Sequence, residues 1–180
     1  WGRRVIERLP LRGDETVLDA GCGTGRVTRL IAEGVPRGRV IAVDASEAMV
    51  EEAGRRLADL AGRVEVRRAD LLELDLGEPV DAIISTATFH WIADHERLFA
   101  RLAAALSPGG RLVAQCGGRG NVAGALAAAA ATGAESPFAA HLGEVPRAWY
   151  FAGPEETEAR LRAAGFAEAR AWLEPSPADF

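Results

Sequence analysis

The run Val17-Leu18-Asp19-Ala20-Gly21-Cys22-Gly23-Thr24-Gly25 limits what this chain can fold into more than any other segment. A short apolar stretch enters alternating glycines, and a helix-forming segment from about Arg26 to Glu33 follows at once. Glycine tolerates positive φ and admits a ligand close to the backbone, while the first turn of a helix offers unpaired N–H groups. Such a turn belongs to a strand–helix repeat whose ligand sits beyond the carboxyl end of the strand.

The rest of the chain repeats that unit. Val5 to Leu9 reads as a helix end broken by Pro10, and Thr16-Val17-Leu18 as the first strand. Arg39 to Val43 is a second strand, and Ser46 caps a helix running to about Leu60. Val64 to Arg67 alternates as a third strand, Asp70 to Gly77 is a short connection, and Val80 to Ser85 is a fourth strand. Asp94 caps a helix with Leu98, Phe99, Leu102 and Leu106 on its apolar face. Pro108-Gly109-Gly110 stops that helix before a fifth strand, Arg111 to Gln115. The pattern predicts an α/β fold: an open, mostly parallel sheet with helices on both faces.

Beyond the fifth strand the character changes. Asn121 to Ala131 is alanine-rich and helical by propensity, though its small side chains bury little surface. Gly133 to Trp149 reads as a helix-and-loop segment, and residues 119–153 together as a helical insertion capping the acceptor side. Pro154 opens a further helix over Glu155 to Ala164, and Ala167 to Leu173 is expected to be another strand. The whole, residues 1–180, is read as one domain truncated at one or both ends.

Composition narrows the function. The 26 acidic residues exceed the 21 basic ones, for a net charge of −5, and every basic residue is arginine. That balance argues against non-specific nucleic-acid or anionic-membrane binding. Lysine Schiff-base chemistry and the lysine-dependent phosphate loop are excluded within this chain. Cys22 and Cys116 form no CxxC pair, and the three histidines make no metal-spaced cluster with the carboxylates, so no metal is expected. With no apolar stretch of bilayer length, a cytoplasmic location is the expectation, with no obligate protein partner.

Asp44 closes the second strand. In a parallel sheet it lies beside the loop of the first strand, where a carboxylate can accept both ribose hydroxyls of an adenosine. A purely structural reading keeps the glycines as turn residues and Asp44 as a cap. Two cofactor classes compete for the adenosine. A nicotinamide dinucleotide prefers GxGxxG, whose third glycine would fall at Arg26, and its pyrophosphate would be repelled by Asp19. S-adenosylmethionine carries an ammonium and a sulfonium that favour a nearby carboxylate, and its own carboxylate can use the helix start or Arg26. Charge favours the methyl donor.

Val17 to Gly25 resembles the first motif of class I S-adenosylmethionine-dependent methyltransferases, and Val40-Ile41-Ala42-Val43-Asp44-Ala45-Ser46-Glu47-Ala48-Met49 resembles their second. The resemblance covers nearly the whole chain and implies a cofactor site. Asp19, Gly21, Cys22, Gly23 and Arg26 come from the first loop, Asp44 would hold the ribose, and Ala45 and Met49 would line the adenine. Arg68-Ala69-Asp70-Leu71 is similar to the segment after strand three, so Asp70 would accept from the adenine amino group and Leu71 offer its N–H. Asp70 as a turn cap and Met49 as plain core are the bland alternatives.

Strand four ends in Ser85-Thr86-Ala87-Thr88-Phe89-His90-Trp91, which should face the reacting methyl. Ser85 and Trp91 are expected on the cofactor wall, and His90 as a base, a hydrogen-bond donor, or merely an orienting residue. Ala87 to His95, Pro108 to Leu112, Trp149 to Glu156 and Leu161 to Phe166 look similar to trans-aconitate methyltransferases, which act on a carboxylate of a small polyacid. The malonyl-carrier methyltransferases share the layout of the strand-four loop. Glutamine commonly precedes the tryptophan in both groups, where this chain has His90. An acid acceptor asks for arginine, and Arg119 and Arg147 follow strand five, with His141, Trp149 and Tyr150 as further pocket-lining candidates. The expected function is methyl transfer to a small molecule. A malonyl-carrier thioester, another small O or N acceptor, a non-catalytic cofactor-binding module and an NAD-dependent oxidoreductase are the alternatives.

Overall fold

The structure, a computed structural model, describes residues 2–141 and 149–175. Five strands form one parallel sheet in the order β3-β2-β1-β4-β5. They span β1 Thr16–Ala20, β2 Arg39–Asp44, β3 Val64–Arg68, β4 Val80–Thr86 and β5 Leu106–Gln115. Their helices are α1 Gly2–Glu7, α2 Arg26–Gly34, α3 Glu47–Arg56, α4 His95–Ala105, α5 Ala123–Gly133 and α6 Pro154–Ala163.

Alternation along each strand divides the core in two. Leu18, Ala20, Ile41, Val43 and Ile83 pack with Leu98, Phe99 and Leu102 of α4 and Leu161 of α6. Val17, Val40, Ala42, Ala82 and Ile84 pack on the other face with Val5 of α1, Ile31 of α2 and Ala53 of α3. The central strands are buried on both faces, which is why they read as continuous apolar runs. The strand order reverses between β1 and β4, so the carboxyl ends there open a crevice.

Capping follows the sequence closely. Ser46 Oγ accepts the N–H of Met49, and Asp94 Oδ1 accepts that of Arg97. The helix after Ser46 stops at Arg56, and the residues up to Leu60 form a short 3-10 turn. Two expectations are corrected at the sheet edge. Helix α4 ends at Ala105, and Leu106, expected on its apolar face, already pairs with Val80. The next pair is Ala82 with Arg111, so Ser107 to Gly110 bulge out of the strand, with Gly109 at φ 77°. The predicted strand from Ala167 to Leu173 does not form: those residues follow α6 as irregular chain. They stand off from β5 across a cavity of about 590 Å³ lined by Arg111 to Gly118 on one side and Glu168 to Glu174 on the other. Ala169 is buried there and Arg8 lies 5.1 Å over the Trp172 ring, so side-chain anchoring replaces strand pairing. Helix α5 forms close to its expected place, and every described side chain on it is exposed.

One buried charge fixes the entry to β1. Glu15 is 1% exposed, and its carboxylate accepts the N–H groups of Arg12 at 2.7 Å and Gly13 at 2.9 Å. Burial pushes its pKa up, but those N–H groups and the Arg12 guanidinium outweigh it and hold the carboxyl below its ordinary value. Glu15→Ala leaves two N–H groups without acceptors and should cost about 2 kcal/mol. A urea unfolding curve checks this; an unchanged midpoint would show that Glu15 is dispensable.

Candidate active site

Asp19 sits on the β1 face that packs against α2, with no exposed surface. The Thr28 hydroxyl donates to its Oδ2 at 2.6 Å, while Oδ1 has no partner among the described residues. Burial raises its pKa to about 6 against the relief given by Thr28, and the nearby Asp44 carboxylate pushes it further up. An unpartnered carboxylate oxygen inside a protein is costly, and a cationic ligand would lower that cost.

The glycine loop is pinned over this group. The N–H groups of Gly21 and Cys22 both donate to the Val43 carbonyl, at 2.8 and 2.9 Å. Gly21 has φ 83°, and a Cβ there would collide with Thr88, whose hydroxyl donates to the Gly21 carbonyl at 3.2 Å. Nothing lies within 4 Å of where a Gly23 Cβ would stand, so that backbone borders open space. Asp44 Oδ2 accepts the Gly23 N–H and Oδ1 the Ser46 N–H, each at 2.9 Å. The turn-capping role and the ligand role thus coexist: each oxygen keeps capacity for a further donor.

The other expected residues distribute unevenly. Ala45 is exposed and Met49 half-buried, outside both core clusters, so Met49 is not plain core. Arg26 is exposed as the first residue of α2. Asp70 caps a short 3-10 turn by accepting the Leu72 N–H at 2.9 Å, and Leu71 is buried in the core. Cys22 is buried, and burial first, with Asp19 and Asp44 adding to it, pushes its thiol up to about 12, so it is no nucleophile. Ser85 is buried, and its hydroxyl donates to the Ala20 carbonyl at 2.7 Å, which ties β4 to the end of β1.

Around His90 four rings close a circuit. Centroid distances are 5.4 Å from His90 to Trp91, 5.6 Å to Trp149, 6.1 Å to Phe151 and 5.9 Å back to His90. The Tyr150 N–H donates to the His90 carbonyl at 2.8 Å and brings the two segments together. Trp91 stays 59% exposed and Trp149 39%, so this aromatic wall faces outward. Tyr150 turns the other way. Its hydroxyl donates to Glu156 and accepts from Arg160 at 3.0 Å, and its ring meets His95 edge-on at 5.0 Å. It buttresses α6 instead of joining the wall. Arg119 is exposed and pairs with Glu155 at 3.5 Å, and His141 is exposed after a short turn at Phe138–Ala140. Arg147 lies outside the described residues.

Residues 17–110 match the methyltransferase-domain family. The chain belongs to that family. It is 32% identical over 169 residues to a trans-aconitate 2-methyltransferase of Methylobacterium nodulans, covering 94% of this chain and 59% of that one. A malonyl-[acyl-carrier protein] O-methyltransferase of Anoxybacillus flavithermus is 37% identical over 99 residues, 55% of this chain and 38% of its own. Among solved structures, a Haemonchus contortus phosphoethanolamine N-methyltransferase in complex with S-adenosylhomocysteine superposes with TM-score 0.74 at 25% identity, over 93% of this chain and 37% of that one. The chain therefore spans less than two thirds of the length of each of these relatives.

Three residues of this methyltransferase domain escaped the sequence reading. Thr28 shares the buried stripe of α2 with Ile31 and Ala32, and a polar residue on an apolar stripe was the available signal. Thr88 and Phe151 had none, since both act through contacts made only by the fold.

The raised Asp19 pKa has a thermodynamic sign. The native state binds a proton that the unfolded chain has already released, so stability from this group is full below about pH 4 and is lost as pH rises through about 6. In the Asp19→Asn variant that loss disappears. The variant should gain about 2 kcal/mol relative to wild type between pH 4 and pH 7.5 in paired urea unfolding curves. A pH-independent difference would mean that Asp19 titrates normally.

Proposed function

We propose that this domain binds S-adenosylmethionine at the crevice between β1 and β4 and transfers its methyl group to a small-molecule acceptor. The observation that carries the reading is the fully buried, half-partnered Asp19 beneath a glycine loop that Asp44 holds. The residues fit the group. Asp19 supplies negative charge for an ammonium and a sulfonium, Gly23 leaves room for close approach, and Asp44 has acceptor capacity for two hydroxyls. A dinucleotide pyrophosphate meets the wrong charge at the same place. Met49, Ala45, Asp70 and Leu71 are assigned to the adenine end, and Arg26 to the carboxylate.

Bound there, S-adenosylmethionine supplies an electrophilic methyl on a sulfonium. The chain's own contribution is alignment and exclusion of water, which suffice for an in-line displacement. The acceptor is proposed to be a carboxylate of a small polyacid, supported by the similarity to a trans-aconitate enzyme over nearly all of this chain. The match to a malonyl-carrier enzyme supports a second reading, a carrier-bound thioester. Residues 119–153 are proposed as the acceptor-side cap.

Calorimetric titration with S-adenosylhomocysteine, with NAD in parallel, tests the cofactor. Binding to the former alone is expected, and binding to NAD alone would overturn it. Asp44→Ala should weaken S-adenosylhomocysteine at least tenfold with an unchanged circular dichroism spectrum; equal affinity would remove Asp44 from the site.

A further inference from the structure

His90 offers the site less freedom than an isolated imidazole. The Gly117 N–H, two residues past β5, donates to His90 Nδ1 at 3.2 Å. A backbone amide can only donate, so Nδ1 must present its lone pair and the ring proton must reside on Nε2. Nε2 lies on the opposite edge of the ring and has no protein partner among the described residues. Burial lowers the pKa of the ring, which keeps it neutral near pH 7. The ring is held in place by the near-parallel face of Phe151 and by Trp91, and the main chain of residue 90 by Tyr150. Gly117 is itself committed to this arrangement, because a Cβ there would collide with Phe151 and Asn121.

Resting on the methyltransferase reading and its proposed carboxylate acceptor, we infer that His90 serves the acceptor as a hydrogen-bond donor through Nε2–H and not as a base. A neutral ring whose only lone pair is engaged by Gly117 has no basic nitrogen left for an incoming hydroxyl or ammonium proton. A carboxylate has no proton to lose near pH 7. One of its oxygens forms the O–CH₃ bond with its own lone pair, the bonding pair of the broken S–CH₃ bond stays on sulfur, and no proton is released. The Nε2–H can hold the other oxygen.

Two substitutions separate this role from a structural one. Asn places its carbonyl oxygen near the Nδ1 position, keeping the acceptor for Gly117 but losing the outer donor. Gln places its amide N–H near Nε2, keeping the donor. The probe is trans-aconitate, titrated into the domain saturated with S-adenosylhomocysteine. His90→Gln should bind it within about threefold of wild type, and His90→Asn at least tenfold more weakly, with S-adenosylhomocysteine affinity unchanged in both. Long-range ¹⁵N–¹H spectra of the free protein should show His90 protonated at Nε2 and not Nδ1. A proton on Nδ1, or His90→Asn retaining affinity while His90→Gln loses it, would overturn the donor role. Failure of trans-aconitate to bind while S-adenosylhomocysteine binds would overturn the carboxylate acceptor. Failure of S-adenosylhomocysteine itself would strike the cofactor reading, leaving the donor role to be decided by the tautomer.

Discussion

Two carboxylates flank one glycine loop: Asp19 precedes it at the end of β1, and Asp44 at the end of β2 accepts the Gly23 N–H. Asp19 comes from the buried middle strand and Asp44 from its neighbour, in parallel register, so both stand at carboxyl ends on the same edge of the sheet. The loop between β1 and α2 is then fastened from three directions, by Val43 from β2, by Thr88 from the β4 loop and by Asp44 itself. Burial, and after it the charge of Asp44, raises the Asp19 pKa to about 6, so an ionised Asp19 costs the fold stability at neutral pH. The same feature that costs the fold stability would favour a cationic ligand, in keeping with the proposed cofactor.

Much of this was legible from residue order. Strand–helix alternation, the glycine turn and the acidic end of β2 are local patterns, and local patterns survive folding in a buried parallel sheet because each strand is apolar on both faces. The capping residues Ser46 and Asp94 were readable for the same reason: their chemistry is completed within three residues.

The failures share a different cause. Ala167 to Leu173 has strand-like composition, but a strand needs a partner, and β5 stands across a cavity from it. Leu106 has helical spacing and yet turns into the sheet, since pairing with Val80 outweighs one more helical residue. Ser85 and Tyr150 show the same dependence on the fold. The Ser85 hydroxyl donates to the Ala20 carbonyl, and that of Tyr150 donates to Glu156 and accepts from Arg160. Side chains that could serve a ligand or the protein are divided between the two only by tertiary partners, which a linear reading does not contain.

The histidine shows how far a single backbone contact reaches. Position 90 could be filled by a base, a donor or a spacer, and the choice among them rests on which nitrogen Gly117 addresses. That choice depends on β5 ending where it does, which depends on the bulge at Ser107 to Gly110 that sets the register between β4 and β5. With Nδ1 engaged, proton removal is closed to the ring and orientation stays open. What such a ring can still contribute is alignment, and the proposed transfer of a methyl group to an oxygen already carrying its charge asks for no more.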